Sequence, residues 1–246
     1  MTRFTKRIKI NKINKILNVN KPAGISSYDV VRKVKRVLDF KKVGHGGTLD
    51  PFASGVLLVL IGRGATRQME NILTKPKKYQ AVLKLGQKTD TGDIEGKIVA
   101  ESDVPAITKA DLVKAAAEFT GEYLQLPPQF SAKKVNGKPA YKYARKGIKV
   151  NLKPKKVDIY QLKIEQFSDD ELIFDVDCSS GTYIRVLGEE LAQTLGTVGH
   201  LTKLTRGAIG EYTLENSVSF DNIPEALQEL KQEILTQFQK EVNING

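Results

Sequence analysis

A glycine-rich stretch, Val43-Gly44-His45-Gly46-Gly47-Thr48-Leu49-Asp50-Pro51-Phe52-Ala53-Ser54-Gly55, runs straight into six apolar residues, Val56-Leu57-Leu58-Val59-Leu60-Ile61. The apolar run reads as a buried strand. Gly44, Gly46 and Gly47 allow a positive φ, or a close approach to a ligand, that other residues resist. Asp50 is disfavoured inside a helix, because a following proline pushes the residue before it out of the α region. The expected result is a tight loop that presents Asp50 and is anchored by core on its C-terminal side. A loop aspartate beside threonine and glycine is commonly a turn-former or a helix cap. This stretch by itself therefore leaves the role of Asp50 open.

The rest of the composition narrows the class. A chain of 246 residues can bury a substantial core as one domain or two. Its 40% hydrophobic content suits a folded protein rather than a disordered one. No apolar stretch approaches the roughly 20 residues that span a bilayer. The basic start, Met1 to Lys9, has no continuous apolar segment of the kind a secretory signal needs. One cysteine, Cys178, excludes an intramolecular disulfide and a multi-cysteine zinc site. The simplest compartment is a bacterial cytoplasm. A net charge of +11 suggests a polyanionic partner, since Lys and Arg that neutralise phosphates release counterions. Plain surface solvation is the alternative.

Residues 1–15 carry Arg3, Lys6, Arg7, Lys9, Lys12 and Lys15 with little periodicity and read as a basic tail. Ile16 to Asn20 alternates like a strand and stops at the turn signal Lys21-Pro22-Ala23-Gly24. Ser26 or Ser27 then caps a helix whose apolar face holds Val30, Val31, Val34, Val37 and Leu38. A helix is expected from Gly62 to Leu73, and an alternating strand from Tyr79 to Leu85. Asp90, Asp93 and Glu95 lie in a polar loop without the twelve-residue ligand pattern of a calcium-binding EF-hand. Thr108 and Asp111 open a further helix. An Asn136-Gly137 turn and a short basic helix to Lys146 follow. Lys133, Lys134, Lys138, Lys142, Arg145, Lys146, Lys149, Lys153, Lys155 and Lys156 concentrate charge here. Interleaved with Tyr141 and Tyr143, they suit RNA, where phosphate contact and stacking combine. A solvated hairpin and helix would look the same. Residues 157–167 and 172–178 read as a β-hairpin. Ser179 to Thr182 is expected to cap a helix to about Leu195, with Tyr183 and Arg185 in its first turn. A strand near Ile209 to Thr213 and a final helix from Pro224 to about Glu241 complete the chain.

Several stretches, in this order, resemble one family. They are Gly44-His45-Gly46-Gly47-Thr48-Leu49-Asp50-Pro51 through Leu57, Lys78-Tyr79, Leu85-Gly86-Gln87-Lys88-Thr89-Asp90-Thr91-Gly92-Asp93, and Ser180-Gly181-Thr182-Tyr183-Ile184-Arg185. Together with Lys21-Pro22-Ala23-Gly24-Ile25-Ser26-Ser27, they are similar to the motifs of the bacterial TruB-type tRNA pseudouridine synthases over roughly residues 16–215. The resemblance implies an α+β pseudouridine synthase fold, a mixed, mainly antiparallel sheet flanked by helices with a central, basic active-site cleft. It implies a synthase domain over 16–222, followed by a C-terminal helix and tail over 223–246. Bacterial members typically carry a further RNA-binding module of the PUA type. Here only a helix and a polar tail follow residue 220, so a reduced form is expected, gripping RNA through the synthase domain.

The activity implied is isomerisation of uridine to pseudouridine in tRNA, with uridine 55 of the T loop as target, by a monomer that needs no cofactor and no metal. The N1–C1′ bond breaks, the uracil turns, and C5 joins C1′. Such chemistry needs a carboxylate close to the anomeric carbon, as glycoside cleavage does. By motif match Asp50 is that carboxylate, and Arg185 pairs with it and keeps it ionised. Tyr79 stacks on the base, Tyr183 and Leu204 line the uridine pocket, and Asp93 meets the base edge. His45 sits against the displaced nucleotide, since a base in a folded loop must be extruded before reaction. His200 is expected to be structural. The two rival readings are an RNA-binding or folding chaperone of the tRNA elbow, and a sister synthase acting on another RNA.

Overall fold

The computed structural model describes residues 13–244. Most of the expected basic tail therefore lies outside the described residues. In chain order the first elements are β1 (Lys15–Lys21), α1 (Ser27–Leu38), β2 (Val43–Gly46), β3 (Ser54–Ile61), α2 (Arg63–Arg67) and α3 (Met69–Thr74). Next come β4 (Lys77–Leu85), β5 (Gln87–Thr89), β6 (Ile98–Glu101), α4 (Lys109–Phe119) and β7 (Gly121–Gln125). The short elements β8 (Lys134–Val135), β9 (Lys138–Pro139) and α5 (Ala140–Ala144) precede the long hairpin of β10 (Lys155–Ser168) and β11 (Glu171–Cys178). The chain continues with α6 (Ile184–Thr194), β12 (Gly199–Ile209), β13 (Tyr212–Thr213) and β14 (Val218–Ser219). It closes with α7 (Ile223–Ala226) and α8 (Gln228–Ile244). These elements gather into two compact units.

The first unit holds the chain through Pro51, Gly55–Leu73, and Tyr212 onward. Its sheet is mixed. β3 pairs antiparallel with β1 from Lys15↔Ile61 to Lys21↔Gly55, and with β2 from Val43↔Ile61 to Gly46↔Leu58. β14 joins β1 in parallel at Val19↔Val218. Because side chains alternate across a strand, Leu57, Val59 and Ile61 of β3 join Leu17 and Val19 of β1 in a single core. Val30, Val31, Val34 and Leu38 of α1 complete it with Ile223, Leu227, Leu230 and Ile234 of the C-terminal helices. α1 starts where expected: Ser26 Oγ accepts from Asp29 N while the Asp29 carboxylate reaches back to Ser26 N, a capping box. It stops at Asp39, whose φ of 48° places it in the left-handed region.

The second unit holds Phe52–Ser54 and Thr74–Glu211. Its sheet runs β12-β4-β11-β10-β7, every pair antiparallel. α6 packs on β12 and β4, α4 packs on β10, and the two helices touch. Ala81, Leu83, Leu85, Leu172, Phe174 and Val176 are buried. The alternate positions carry polar pairs, Lys78–Asp177 at 2.8 Å and Gln80–Asp175 at 3.1 Å, so this face is solvated. The helix layer lies close because bare backbone meets it. A Cβ on Gly188 of α6 would stand 2.8 Å from Leu201 Cδ2, and one on Gly199 of β12 would stand 2.9 Å from Ala192 Cβ. Two short hairpins, β5–β6 and β8–β9, form two-stranded sheets of their own. The second turns at Asn136 and Gly137 with φ of 49° and 77°, the Asn-Gly geometry foreseen.

Several local expectations need correction. Val43–Gly46 is a strand rather than loop, since β3 offers it a free ladder edge. The helix expected over 62–73 breaks at Gln68, whose N–H turns back to Ala65 O at 3.0 Å while its carbonyl accepts from Ile72 N. The last helix is likewise split at Leu227. α6 is not capped by the Ser179–Thr182 side chains: the Thr182 hydroxyl donates to Ser179 O, and Tyr183 takes the N-cap position with no side-chain cap. Among the described residues no helix is long and apolar enough to cross a membrane.

Candidate active site

In the first unit, His45 stands half-buried on β2, opposite Val59. The chain leaves the strand at Gly47, whose φ of 97° needs a residue without Cβ. The two residues flanking Asp50 are then held by the segment Lys21 to Ser27. Ser27 Oγ accepts from Leu49 N at 2.8 Å and donates to Leu49 O at 2.9 Å, both bonds buried. Gly24 N–H donates to Pro51 O at 2.8 Å. Lys21 is 0% exposed, and its ammonium donates to the carbonyls of Ile25 at 2.7 Å, Pro22 at 2.9 Å and Pro51 at 3.3 Å. A buried charge is costly unless fully hydrogen-bonded, and these carbonyls provide that. Asp50 remains half-buried between the two pinned residues.

In the second unit, Arg185 is 5% exposed in the first turn of α6. Its guanidinium donates to Thr91 O at 2.5 Å and Phe130 O at 2.9 Å and lies 3.4 Å from the Asp93 carboxylate. Asp93, 4% exposed, also accepts from the Thr91 hydroxyl at 2.7 Å and from Glu95 N at 3.1 Å. A network of this kind fixes a guanidinium plane far better than one ion pair does. Tyr183 precedes Arg185 by two residues. Tyr79 on β4 faces Arg206 of β12, and Ala81 faces Leu204. Tyr79 and Leu204 are therefore diagonal neighbours on one face. Arg206 is 2% exposed and Lys77 6% exposed. Burial, with the Arg206 guanidinium nearby, pushes the Lys77 ammonium down from 10.5 to about 8. The ten Lys and Arg of the segment 133–156 are all exposed, with Arg145 over the Tyr141 ring at 5.4 Å.

The second unit thus brings Asp93 to Arg185 and Tyr79 to Leu204, and the first carries Asp50 and His45. Sequence reasoning passed over Arg206, since it expected a strand near Ile209 to Thr213, whereas β12 spans Gly199–Ile209. It also passed over Gln125, which lies outside every recognised stretch. His200 is buried, with Nδ1 2.8 Å from Gln87 O, as a structural histidine should be.

One mixed and one antiparallel set of strands, flanked by helices, make an α+β fold of the pseudouridine synthase kind. Residues 35–184 match the family described as TruB family pseudouridylate synthase (N terminal domain), and the chain belongs to that family. It is 43% identical over 212 residues to the tRNA pseudouridine synthase B of Hydrogenovibrio crunogenus, covering 86% of this chain and 70% of that protein. To the protein of the same name from Bordetella avium it is 42% identical, over 84% of this chain and 85% of the relative. A chain in the crystal structure of a Cbf5-Nop10-Gar1 complex superposes with a TM-score of 0.67 at 27% identity. That match covers 85% of this chain and 53% of the other, so this chain spans about half of that one.

Proposed function

We propose that this chain isomerises uridine to pseudouridine in tRNA, with uridine 55 of the T loop as its target. The observation that carries the reading is the fixing of both residues flanking Asp50, by Ser27 on one side and by Gly24 and Lys21 on the other. A loop held this firmly keeps a half-buried carboxylate at one place. Preorganisation is what bond cleavage at an anomeric carbon requires. Family membership supplies the reaction.

In this reading Asp50 stands beside the ribose as the N1–C1′ bond breaks, either adding to C1′ or removing a C2′ proton. Arg185 pairs with it, its direction set by Thr91, Phe130 and Asp93. Tyr79 stacks on the uracil while it turns, with Tyr183 and Leu204 lining its pocket and Asp93 near the base edge. His45 meets the displaced nucleotide. The basic segment 133–156 within the synthase domain takes the tRNA backbone. The reaction runs in the cytoplasm, on a monomer. Neither cofactor nor metal enters any of these steps.

The test is Asp50→Asn assayed on T-arm RNA and on whole tRNA. Pseudouridine formation should fall on the order of a thousandfold or more, with tRNA affinity retained. Pseudouridine made at the wild-type rate by the variant would sink the reading. Mapping modified positions in RNA from a deletion strain separates uridine 55 from other targets.

A further inference from the structure

Gln125 closes β7 and is 1% exposed. Its side-chain amide holds Tyr183 from both sides: Tyr183 N–H donates to Oε1 at 2.7 Å, and Nε2 donates to Tyr183 O at 3.0 Å. Nε2 also donates to the Tyr123 hydroxyl. The Glu190 carboxylate, two turns further along α6, lies near that hydroxyl. Tyr183 is the N-cap of α6, extended at φ −96° and ψ 105°, with no capping side chain of its own. The first N–H groups of a helix lack intrahelical partners. A glutamine from another strand satisfies the first of them here.

The same segment reaches α6 a second time. Five residues after Gln125, Phe130 O accepts from Arg185 Nη2 at 2.9 Å. Residues 125–130 therefore grip the start of α6 at the Tyr183 backbone and at the Arg185 guanidinium. A change in the Tyr183 peptides would redirect both side chains together, because Arg185 follows Tyr183 by two residues on a rigid first turn.

We propose that Gln125 is a positioning residue for the reaction, setting the backbone of Tyr183 and so the direction in which Arg185 leaves α6. The inference rests on the reading given above of Tyr183 as a pocket residue and of Arg185 as the partner of Asp50. It assigns no contact with substrate to Gln125 itself.

The experiment compares the full chain with Gln125→Met and Gln125→Glu under single turnover on whole tRNA, beside Asp50→Asn. Methionine keeps the volume and removes every hydrogen bond. Glutamate keeps the acceptor for Tyr183 N–H and loses the amide donors. The Met variant should react about ten- to hundredfold more slowly, the scale expected of a misplaced catalytic group. Its tRNA Kd should stay within about threefold of wild type, and the Glu variant should recover part of the rate. A Met rate within twofold of wild type overturns the proposal. So does a loss that appears in Kd and in melting temperature but leaves the single-turnover rate of bound tRNA intact. If the Met variant does not fold, the Glu variant decides, and a full wild-type rate from it overturns the proposal. A wild-type chain that forms no pseudouridine, or an active Asp50→Asn, refutes the proposed function and this inference with it. An active wild type with an unaffected Gln125→Met refutes the inference alone.

Discussion

Ser27 Oγ meets Leu49 twice, through its N–H and through its C=O, at a depth where water cannot replace either bond. Ser27→Ala would leave two buried backbone groups unsatisfied, which costs about 1–3 kcal/mol. Urea denaturation of the variant should show that loss as a lower midpoint with an unchanged slope. At this scale the sequence was informative wherever a residue type has one plausible task. Thr108 and Asp111 announced a helix start, and Asn136-Gly137 announced a turn. It was silent on Gln125 and Arg206, because a polar side chain carries no mark in the sequence of its eventual burial. Their roles depend on groups at Tyr183 and Tyr79, distant along the chain and brought near by strand pairing.

β4 shows how an element exceeds its own pattern. Its alternation from Tyr79 to Leu85 was readable, but Lys77 and Lys78 fell outside the expected strand. Both residues are in the strand because Cys178 of β11 and Ile209 of β12 stand opposite Lys77, and Asp177 and Ala208 opposite Lys78. Lys77 is thereby carried into the buried layer, where desolvation and then Arg206 push its pKa from 10.5 to about 8. The unfolded lysine keeps its proton up to 10.5, so between about pH 8 and 10.5 the unfolded state binds more protons than the folded one. Stability linked to Lys77 must therefore rise with pH across that window, and the full cost of burying the charge applies below it. Urea midpoints taken at pH 7.5 and pH 9.5 should move upward by more in the wild type than in Lys77→Met. Equal changes in the two proteins would refute this account of Lys77.

For the whole molecule, the relevant quantity is a net charge of +11 with ten exposed Lys and Arg between 133 and 156. If that segment holds the tRNA backbone, affinity must fall steeply with salt. Lys133, Lys134 and Lys138 replaced together by alanine should reduce the slope of log K against log[salt] by about 2–3. An unchanged slope would place the RNA elsewhere. The linear order of residues was enough for the loop-then-strand reading around Asp50, the helix starts at Ser26 or Ser27 and at Thr108, the β10–β11 hairpin and the family. All of these rest on contacts a few residues apart or on recurring short motifs. It could not show that Ser27 holds Leu49, that Asp93 and Phe130 hold Arg185, or that a strand-borne glutamine starts α6. Those are pairings between groups from 22 to 92 residues apart. Their partners acquire an identity only when strands align in register and exclude water.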